Sequence, residues 1–210
     1  DPLGTLNALK AMGYEDFETY GFDAATGTIY GYPVAEFKAI LDELGLSTSS
    51  GHYGFATLME ASPEEVNAYV AKCIAAAKTL ESEYLTWPFV LVEYRNPAGF
   101  ERLAELLNQI GQQVNEAGLG FAYHNHGYEF EDWAGTTGFD ILLAKTNPNW
   151  VKLQLDLYWA VHSGARSSGR PSNAGTYSSN WPPSTAIGPC SKSTSGTSRT
   201  SKSGKPAPWR

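Results

Sequence analysis

Apolar residues recur along the first 165 positions with two periods, and each period predicts a type of element. Spacings of three and four positions predict helices at 4–12, 33–45, 62–80, 100–118 and around 139–143. The third of these opens with Ser62-Pro63-Glu64-Glu65, a capping box that carries proline at the first helical position. Shorter extended runs between the helices predict strands at 14–20, 46–52, 89–94, 119–126 and 151–157.

Strand and helix alternate about five times, which is the pattern of right-handed βαβ units around a parallel sheet. No GxGxxG or Walker sequence indicates a doubly wound nucleotide-binding sheet. Polar residues instead end many of the predicted strands, as they do at the active face of a (β/α)8 barrel. These strand-end residues are Glu18, His52, Glu93, His124, His126 and Asp156. We therefore predict an incomplete (β/α)8 barrel with about five of its strands and their helices.

The alternation within two strands indicates which side chains enter the barrel. Apolar residues take the face that packs on helices, so His124 and His126 of one strand point inward. Lys152, Gln154 and Asp156 of the next strand do the same. Burying such groups is costly unless they pair with one another or bind a ligand, so the pattern predicts a site.

Two carboxylates, Glu129 and Asp156, stand 27 positions apart, about one βαβ repeat. That spacing puts them at the ends of neighbouring strands, where they could share a divalent cation. Oxygen ligands suit Mg²⁺ or Mn²⁺, and added imidazole suits Zn²⁺, Co²⁺ or Mn²⁺. The alternative is a loop glutamate in water and an aspartate that caps a helix.

Histidines and aromatic residues cluster near the same strand ends. The histidines His52, His124, His126 and His162 could be ligands, substrate clamps or proton-transfer groups. They could equally be hydrogen-bonded residues of a polar interior. Aromatic residues near these strand ends could form the wall of a sugar pocket, although core packing is their commoner role. They are Tyr53, Tyr123, Tyr128, Trp133, Tyr158 and Trp159. His52, Glu93 and Arg95 are weaker candidates, because each ends a predicted strand and could equally be a solvated rim residue.

Charge and composition exclude some classes of partner. The net charge is −7, but residues 1–165 hold 8 basic and 22 acidic residues, a balance of −14. An acidic body argues against nucleic acid as the main partner. No apolar run is long enough to predict a membrane span, and no signal segment opens the sequence. Cys73 falls on a helix stripe and is predicted to be a buried thiol; the compartment and the oligomeric state stay undecided.

Residues 166–210 differ from the rest of the chain. They contain 17 Ser or Thr, 6 Pro, 5 Gly, seven Lys or Arg and no Asp or Glu. They cannot bury enough apolar surface to offset the entropy of ordering, so we predict a disordered tail beside the barrel domain at 1–165. A natural linker, a basic arm and an out-of-frame translation are the three alternatives.

Three segments together resemble a known family. AYHNHGYEF and VKLQLDLYWAVHSG resemble the sugar phosphate isomerase/epimerase branch of the xylose-isomerase-like TIM barrels. GYPVAEFKAILDELGLSTSSGH resembles the second helix and third strand of that family. The likeness covers about residues 1–165, from the first helix to just past the sixth strand. It implies that the five predicted strands are about strands two to six of the barrel.

The resemblance implies a divalent metal at the barrel opening and proton transfer next to the carbonyl of a sugar or sugar phosphate. Glu129 matches the first acidic ligand of the family and Asp156 the second. The resemblance also implies that these paired acids move the proton, so both are expected to be catalytic. The histidine of the seventh strand, the acid of the eighth and the first strand lack counterparts, so activity of this chain alone is expected to be weak or absent. The alternatives are a non-catalytic remnant or sugar-binding module, and a zinc AP-endonuclease-like hydrolase, which the acidic body disfavours.

Overall fold

The computed structural model describes residues 1–164, so the predictions for the tail at 166–210 lie outside the described residues. Its six α-helices are α1 (Pro2–Ala11), α2 (Val34–Leu44), α3 (Pro63–Leu80), α4 (Pro97–Glu116), α5 (Gly138–Lys145) and α6 (Leu157–His162). Its eight short strands are β1 (Thr19–Tyr20), β2 (Phe22–Asp23), β3 (Thr28–Ile29), β4 (Tyr32–Pro33), β5 (Ser50–His52), β6 (Tyr84–Trp87), β7 (Gly120–His124) and β8 (Lys152–Gln154).

Five of the strands form one parallel sheet, in the order β1-β5-β6-β7-β8. Helices α3 and α4 connect successive strands of this sheet, and α5 lies between β7 and β8. This is the predicted succession of βαβ units, and the arrangement is that of a partial barrel. Within the described residues, β1 and β8 are the two edges of the sheet.

Local signals in the sequence fix the helix ends. The capping box of α3 is formed: the Glu65 amide donates to Ser62 Oγ at 3.3 Å, and the Ser62 amide donates to Glu65 Oε2 at 2.8 Å. Helix α2 ends at Gly45, which has φ = 61°, a left-handed conformation that glycine adopts without a steric penalty. Both ends agree with the sequence-based prediction.

The two faces of the sheet have different chemistry. One face, with Leu85, Trp87, Phe121 and Tyr123, is buried in the main hydrophobic core, to which α3 and α4 contribute. The register of the strands places a second set of residues on the opposite face: Ser50, His52, Thr86, His124 and Gln154. The predicted inward orientation of His124 and Gln154 is therefore observed.

The strand predicted at 89–94 is wrong, because the strand is Tyr84–Trp87 and Val92–Tyr94 forms a 3-10 turn. Pro88 ends the strand, since proline cannot donate to a ladder in the middle of a sheet. The apolar run that follows Pro88 has strand composition but connects β6 to α4. Glu93 and Arg95 consequently do not end a strand.

Other boundaries also moved. The strand predicted at 14–20 is reduced to Thr19–Tyr20 with a bridge at Asp16, and Leu157 belongs to α6 instead of β8. A small antiparallel sheet of β2, β3 and β4 was not predicted. Cys73 is buried with a free thiol, as predicted. In the part of the chain that the structure describes, no helix has the length and apolar character to span a membrane.

Candidate functional site

Glu18 is the centre of a polar cluster on the inner face of the sheet. It precedes β1, and its Oε1 accepts hydrogen bonds from Ser50 Oγ at 2.7 Å and from Gln154 Nε2 at 2.6 Å. Its Oε2 lies 3.0 Å from His52 Nε2. Burial by itself would raise the pKa of the Glu18 carboxyl, but hydrogen bonds from His52, Gln154 and Ser50 outweigh it and lower the pKa to about 2.

The contacts of His52 define its hydrogen-bonding state. Its Nε2 lies 3.0 Å from Glu18 Oε2 and 3.0 Å from Gln154 Oε1, and both of these atoms are acceptors. Nε2 therefore carries a hydrogen. Burial opposes a charge on the ring, but the hydrogen bonds to Glu18 and Gln154 raise the pKa of His52 above its usual value.

His124 lies between His52 and Asp156. Its ring centroid is 5.1 Å from that of His52, and its Nε2 is 3.7 Å from Asp156 Oδ2. Burial and the neighbouring His52 lower the pKa of His124, so its neutral form is favoured at pH 7. Burial likewise lowers the pKa of His126.

Two buried imidazole nitrogens lack a hydrogen-bond partner within the described residues. They are Nδ1 of His124 and Nδ1 of His126. Buried polar atoms are rarely left unsatisfied, because each one costs free energy. Both atoms lie on rings at the end of β7, so a bound polar group at this place would remove part of that cost.

Glu129 occupies a different environment. It is fully buried in the 3-10 turn Tyr128–Phe130, where Oε1 accepts from Tyr123 Oη at 2.6 Å and Oε2 accepts from the His126 amide at 2.9 Å. Burial raises the pKa of the Glu129 carboxyl. It is thus not the solvated loop glutamate of the alternative interpretation. That Glu129 binds a cation stays a prediction, and binding would require its carboxylate to exchange hydrogen-bond partners.

Asp156 begins α6, as the capping interpretation expected. Its Oδ1 accepts from the Trp159 amide at 3.0 Å, while its Oδ2 faces His124. One carboxylate oxygen therefore stabilises a helix end, and the other remains available on the side of the site. The capping and ligand roles of Asp156 are compatible.

The six predicted substrate-binding residues form one continuous row of ring contacts. Adjacent centroids are 5.1 Å apart for His52 and His124, 5.2 Å for His124 and His126, and 5.5 Å for His126 and Trp159. The row continues along α6, with 5.9 Å from Trp159 to His162 and 5.4 Å from His162 to Tyr158. That these residues bind substrate stays a prediction, but the structure brings all six together.

The remaining candidates lie elsewhere. Tyr53 and Tyr123 are core residues, as the packing alternative expected. The Arg95 guanidinium lies 3.7 Å from the centroid of the Tyr128 ring, and its Nε donates to the Val90 carbonyl. Arg95 thus secures the loop after β6. Glu93, in the 3-10 turn of that loop, accepts at its carbonyl from the Asn96 side chain.

A divalent cation fits the donor types of the site, but the ligand set is incomplete. Metal–nitrogen and metal–oxygen bonds are about 2.0–2.2 Å long for Zn²⁺, so two donors 3.7 Å apart, such as His124 Nε2 and Asp156 Oδ2, can reach the same ion. Among residues 1–164, no group of three or more His, Cys, Asp or Glu side chains could hold a metal ion. The described chain therefore offers pairs of donors instead of a complete ligand set, and in the second such pair, Glu18 and His52, the two groups are bonded to each other.

Three residues of the site were not in the predicted set: Glu18, Gln154 and Asn125. Glu18 and Gln154 were recognised as strand-end and inward residues, but their contact joins positions 136 apart in the sequence. Asn125 bonds to Asp156, 31 positions away. Only the curvature and register of the sheet bring such residues together, so no local signal could have identified the pairs.

Comparison with known proteins agrees with this architecture. The sequence model of the family described as Xylose isomerase-like TIM barrel matches residues 6–179. The chain belongs to this family. The polar cluster at the strand ends therefore lies on the fold of this family, as the resemblance indicated.

Several solved structures are similar to this chain. A sugar phosphate isomerase/epimerase from Parabacteroides distasonis is 27% identical, with a TM-score of 0.67 over 78% of this chain and 62% of its own. A second one from the same organism is 25% identical, with a TM-score of 0.66 over 78% of this chain and 66% of its own. D-psicose 3-epimerase from Clostridium cellulolyticum is 16% identical, with a TM-score of 0.56 over 77% of this chain and 60% of its own, and shows the fold alone.

The chain thus spans less than two thirds of the length of the first of these relatives and about two thirds of the second. No curated protein shows significant sequence similarity to it.

Proposed function

We propose that this chain is part of a sugar or sugar phosphate isomerase or epimerase that moves a proton next to a carbonyl group. The observation that carries the proposal is the convergence of Glu18, His52, His124 and Asp156 on the inner face at the strand ends. Barrels of this type place their active sites at this end of the sheet. The two relatives named as sugar phosphate isomerase/epimerase support the substrate class.

His124 and Asp156 are the groups best placed to handle the proton. The favoured neutral form of His124 is able to accept a proton, and Asp156 Oδ2 lies beside it. His52 differs, because Glu18 favours its protonated form and directs its Nε2 hydrogen. Neighbouring titratable groups whose pKa values are shifted in opposite directions are typical of acid–base sites.

A divalent cation, Mn²⁺, Mg²⁺, Co²⁺ or Zn²⁺, is part of the proposal. Asp156 and His124 would hold it, with Glu129 as the first of the two acidic ligands that the family resemblance implies. When bound, such an ion polarises the carbonyl and hydroxyl oxygens of a sugar. The residues also fit a sugar, since the row from His126 through Trp159 to Tyr158 offers ring surfaces beside polar groups.

Calorimetric titration with Mn²⁺ tests the metal site. We expect the chain to bind Mn²⁺ with micromolar affinity. Asp156→Asn removes a direct ligand and should weaken binding by more than the roughly 10–100-fold that is typical when an outer partner of a ligand is lost. Glu129→Gln and His124→Gln show which of the two residues is the second ligand. Asp42→Asn is the matched control, because Asp42 is exposed and pairs only with Lys38 among the described side chains.

Proton exchange tests the chemistry without knowledge of the product. The chain is incubated with Mn²⁺ and a panel of ketoses, aldoses and their phosphates in D₂O, and NMR detects deuterium at the carbon next to the carbonyl. We expect slow incorporation that Asp156→Asn abolishes. If Mn²⁺ binds but no deuterium enters any sugar, the non-catalytic binding module is the correct interpretation. If Mn²⁺ does not bind either, the proposed function is refuted.

A further inference from the structure

Asn125 stands between the two histidines of the HNH segment, yet its side chain has a different set of contacts. It is 1% exposed and makes three hydrogen bonds, all to backbone groups. Its Oδ1 accepts from the Asp156 amide at 2.8 Å. Its Nδ2 donates to the Asp156 carbonyl at 3.2 Å and to the His126 carbonyl at 3.3 Å. The Asn125 amide thus bonds to both backbone polar groups of Asp156.

These bonds continue the sheet beyond its last backbone pair. The ladder between β7 and β8 ends with His124 opposite Gln154. A side-chain amide carries the same donor and acceptor as a peptide group. Asn125 therefore takes the place of one more backbone pair and fixes the main chain of Asp156 where β8 has already ended.

A second bond fixes the carboxylate of Asp156. Its Oδ1 accepts from the Trp159 amide at 3.0 Å in the first turn of α6. With the backbone held by Asn125 and Oδ1 held by Trp159, the remaining oxygen, Oδ2, faces His124 Nε2 at 3.7 Å. The position of Oδ2 thus depends on a residue that does not itself face His124.

We propose that Asn125 is a positioning residue of the site, which holds the Asp156 backbone so that Oδ2 and His124 Nε2 can act on the same ion or substrate atom. This inference rests on the proposed function for its consequence. Mutation of a residue that hydrogen-bonds to a metal ligand typically weakens metal binding by about 10–100-fold. We assign that role to the Asn125 side-chain amide.

The test compares three variants. Asn125→Ala removes all three hydrogen bonds, and Asn125→Asp keeps an acceptor for the Asp156 amide but loses the donor. Asn108→Ala is the matched control: Asn108 also bonds side chain to backbone across elements, donating to Lys145 O at 2.8 Å and accepting from the Asn147 amide at 2.6 Å. Asn108 lies on α4, away from the strand ends. Each variant is measured by Mn²⁺ calorimetry, thermal unfolding and amide hydrogen exchange.

A positioning role gives a specific pattern. Asn125→Ala is expected to weaken Mn²⁺ binding about 10–100-fold and Asn125→Asp by less, while Asn108→Ala lowers the melting temperature without a change in affinity. The Asp156 amide should exchange at least about tenfold faster in Asn125→Ala than in Asn108→Ala, the change expected for one lost hydrogen bond. If both alanine variants bind Mn²⁺ as the unchanged chain does, the positioning role is overturned.

The exchange measurement separates this inference from the proposed function. If the unchanged chain binds no Mn²⁺, the proposed function fails. The exchange rate of the Asp156 amide then still shows whether Asn125 holds the Asp156 backbone. Faster exchange in Asn125→Ala alone supports the positioning of Asp156. Equal exchange in Asn125→Ala and Asn108→Ala refutes it.

Discussion

At the residue scale, the segment from His124 to Glu129 assigns different tasks to similar polar groups. His124 faces the inner side of the sheet, and Asn125 bonds to the backbone of the next strand. His126 contacts the rings of His124 and Trp159, while Glu129 turns into the core to meet Tyr123. A carboxylate in such a motif is therefore not identified as a ligand by its position in the sequence alone, because hydrogen bonds inside the core can also hold it.

The Glu18–His52 pair makes a pH-dependent contribution to stability. The pKa of Glu18 falls from 4.5 to about 2 on folding, so its contribution is present above pH 4.5 and lost as the pH falls toward 2. The pKa of His52 rises above 6.5, so its contribution is present below pH 6.5 and lost as the pH rises through the folded value. The pair therefore stabilises the fold most between those two limits.

We expect Glu18→Gln to lower the free energy of unfolding by about 1–2 kcal/mol at pH 5.5, since the lost bonds are charge-assisted but partly exposed. The loss should shrink at pH 3 and at pH 9. Urea unfolding at the three values measures it. Glu101→Gln removes an exposed pair with Lys145 and should change stability by less than about 0.5 kcal/mol. A loss that is the same at all three pH values would contradict the assignment.

At the element scale, the helix ends can be predicted from local sequence better than the strands can. Helices α3 and α5 both begin with complete capping boxes, at Ser62 and Thr137. Each box satisfies backbone amides that the first helical turn leaves without a partner. The strands are two to five residues long, so they depend on their neighbours and on the helices that cover them.

The capping box of α3 can be tested directly. Ser62→Ala removes the acceptor for the Glu65 amide and should lower the free energy of unfolding by about 1 kcal/mol. Glu64→Gln changes the same turn outside the box and should cost less than about 0.5 kcal/mol. Urea unfolding measures both, and equal losses would show that the box does not stabilise the helix.

At the scale of the whole molecule, residues 1–164 form a sheet with two edges instead of a closed barrel. β1 and β8 each have one partner strand, and Leu155, just after β8, is 46% exposed. Unpaired strand edges can pair with other chains. In the described part of the chain, these two edges are therefore the expected contacts for association.

We expect the chain to associate as its concentration rises, and sedimentation velocity from micromolar to near-millimolar concentration measures this. Leu155→Lys adds a charge beside the β8 edge and should reduce the associated fraction. Leu157→Lys, at a residue that is 68% exposed on α6, is the matched control for the added charge. If the chain stays monomeric throughout, or both variants act alike, the β8 edge is not the contact.

The sequence was informative where a signal is local. The stripe of α2 with Gly45 at its end, and the capping box of α3, required only adjacent residues. The prediction of a strand at 89–94 was wrong because it followed the apolar composition of that run and did not use Pro88 as the end of a strand. The sheet of β2 to β4 has strands of two residues, too short for any period to appear.

Within the site, alternation along β7 and β8 indicated the orientation of His124 and Gln154. The partners of these residues depend on how the sheet curves, and curvature is a property of the assembled strands. The same holds for Glu129, whose place in the core follows from the Tyr123 hydroxyl across the turn.

The hydrogen bond between Glu18 and Gln154 has a consequence for the order of folding. It joins positions 136 apart: Glu18 directly precedes β1, Gln154 lies in β8, and β5, β6 and β7 lie between these two strands in the sheet. Glu18 and Gln154 therefore come close to each other only after those three strands have paired in the sheet. A nascent chain that has emerged as far as β7 would hold an apolar core before it holds a complete polar interior.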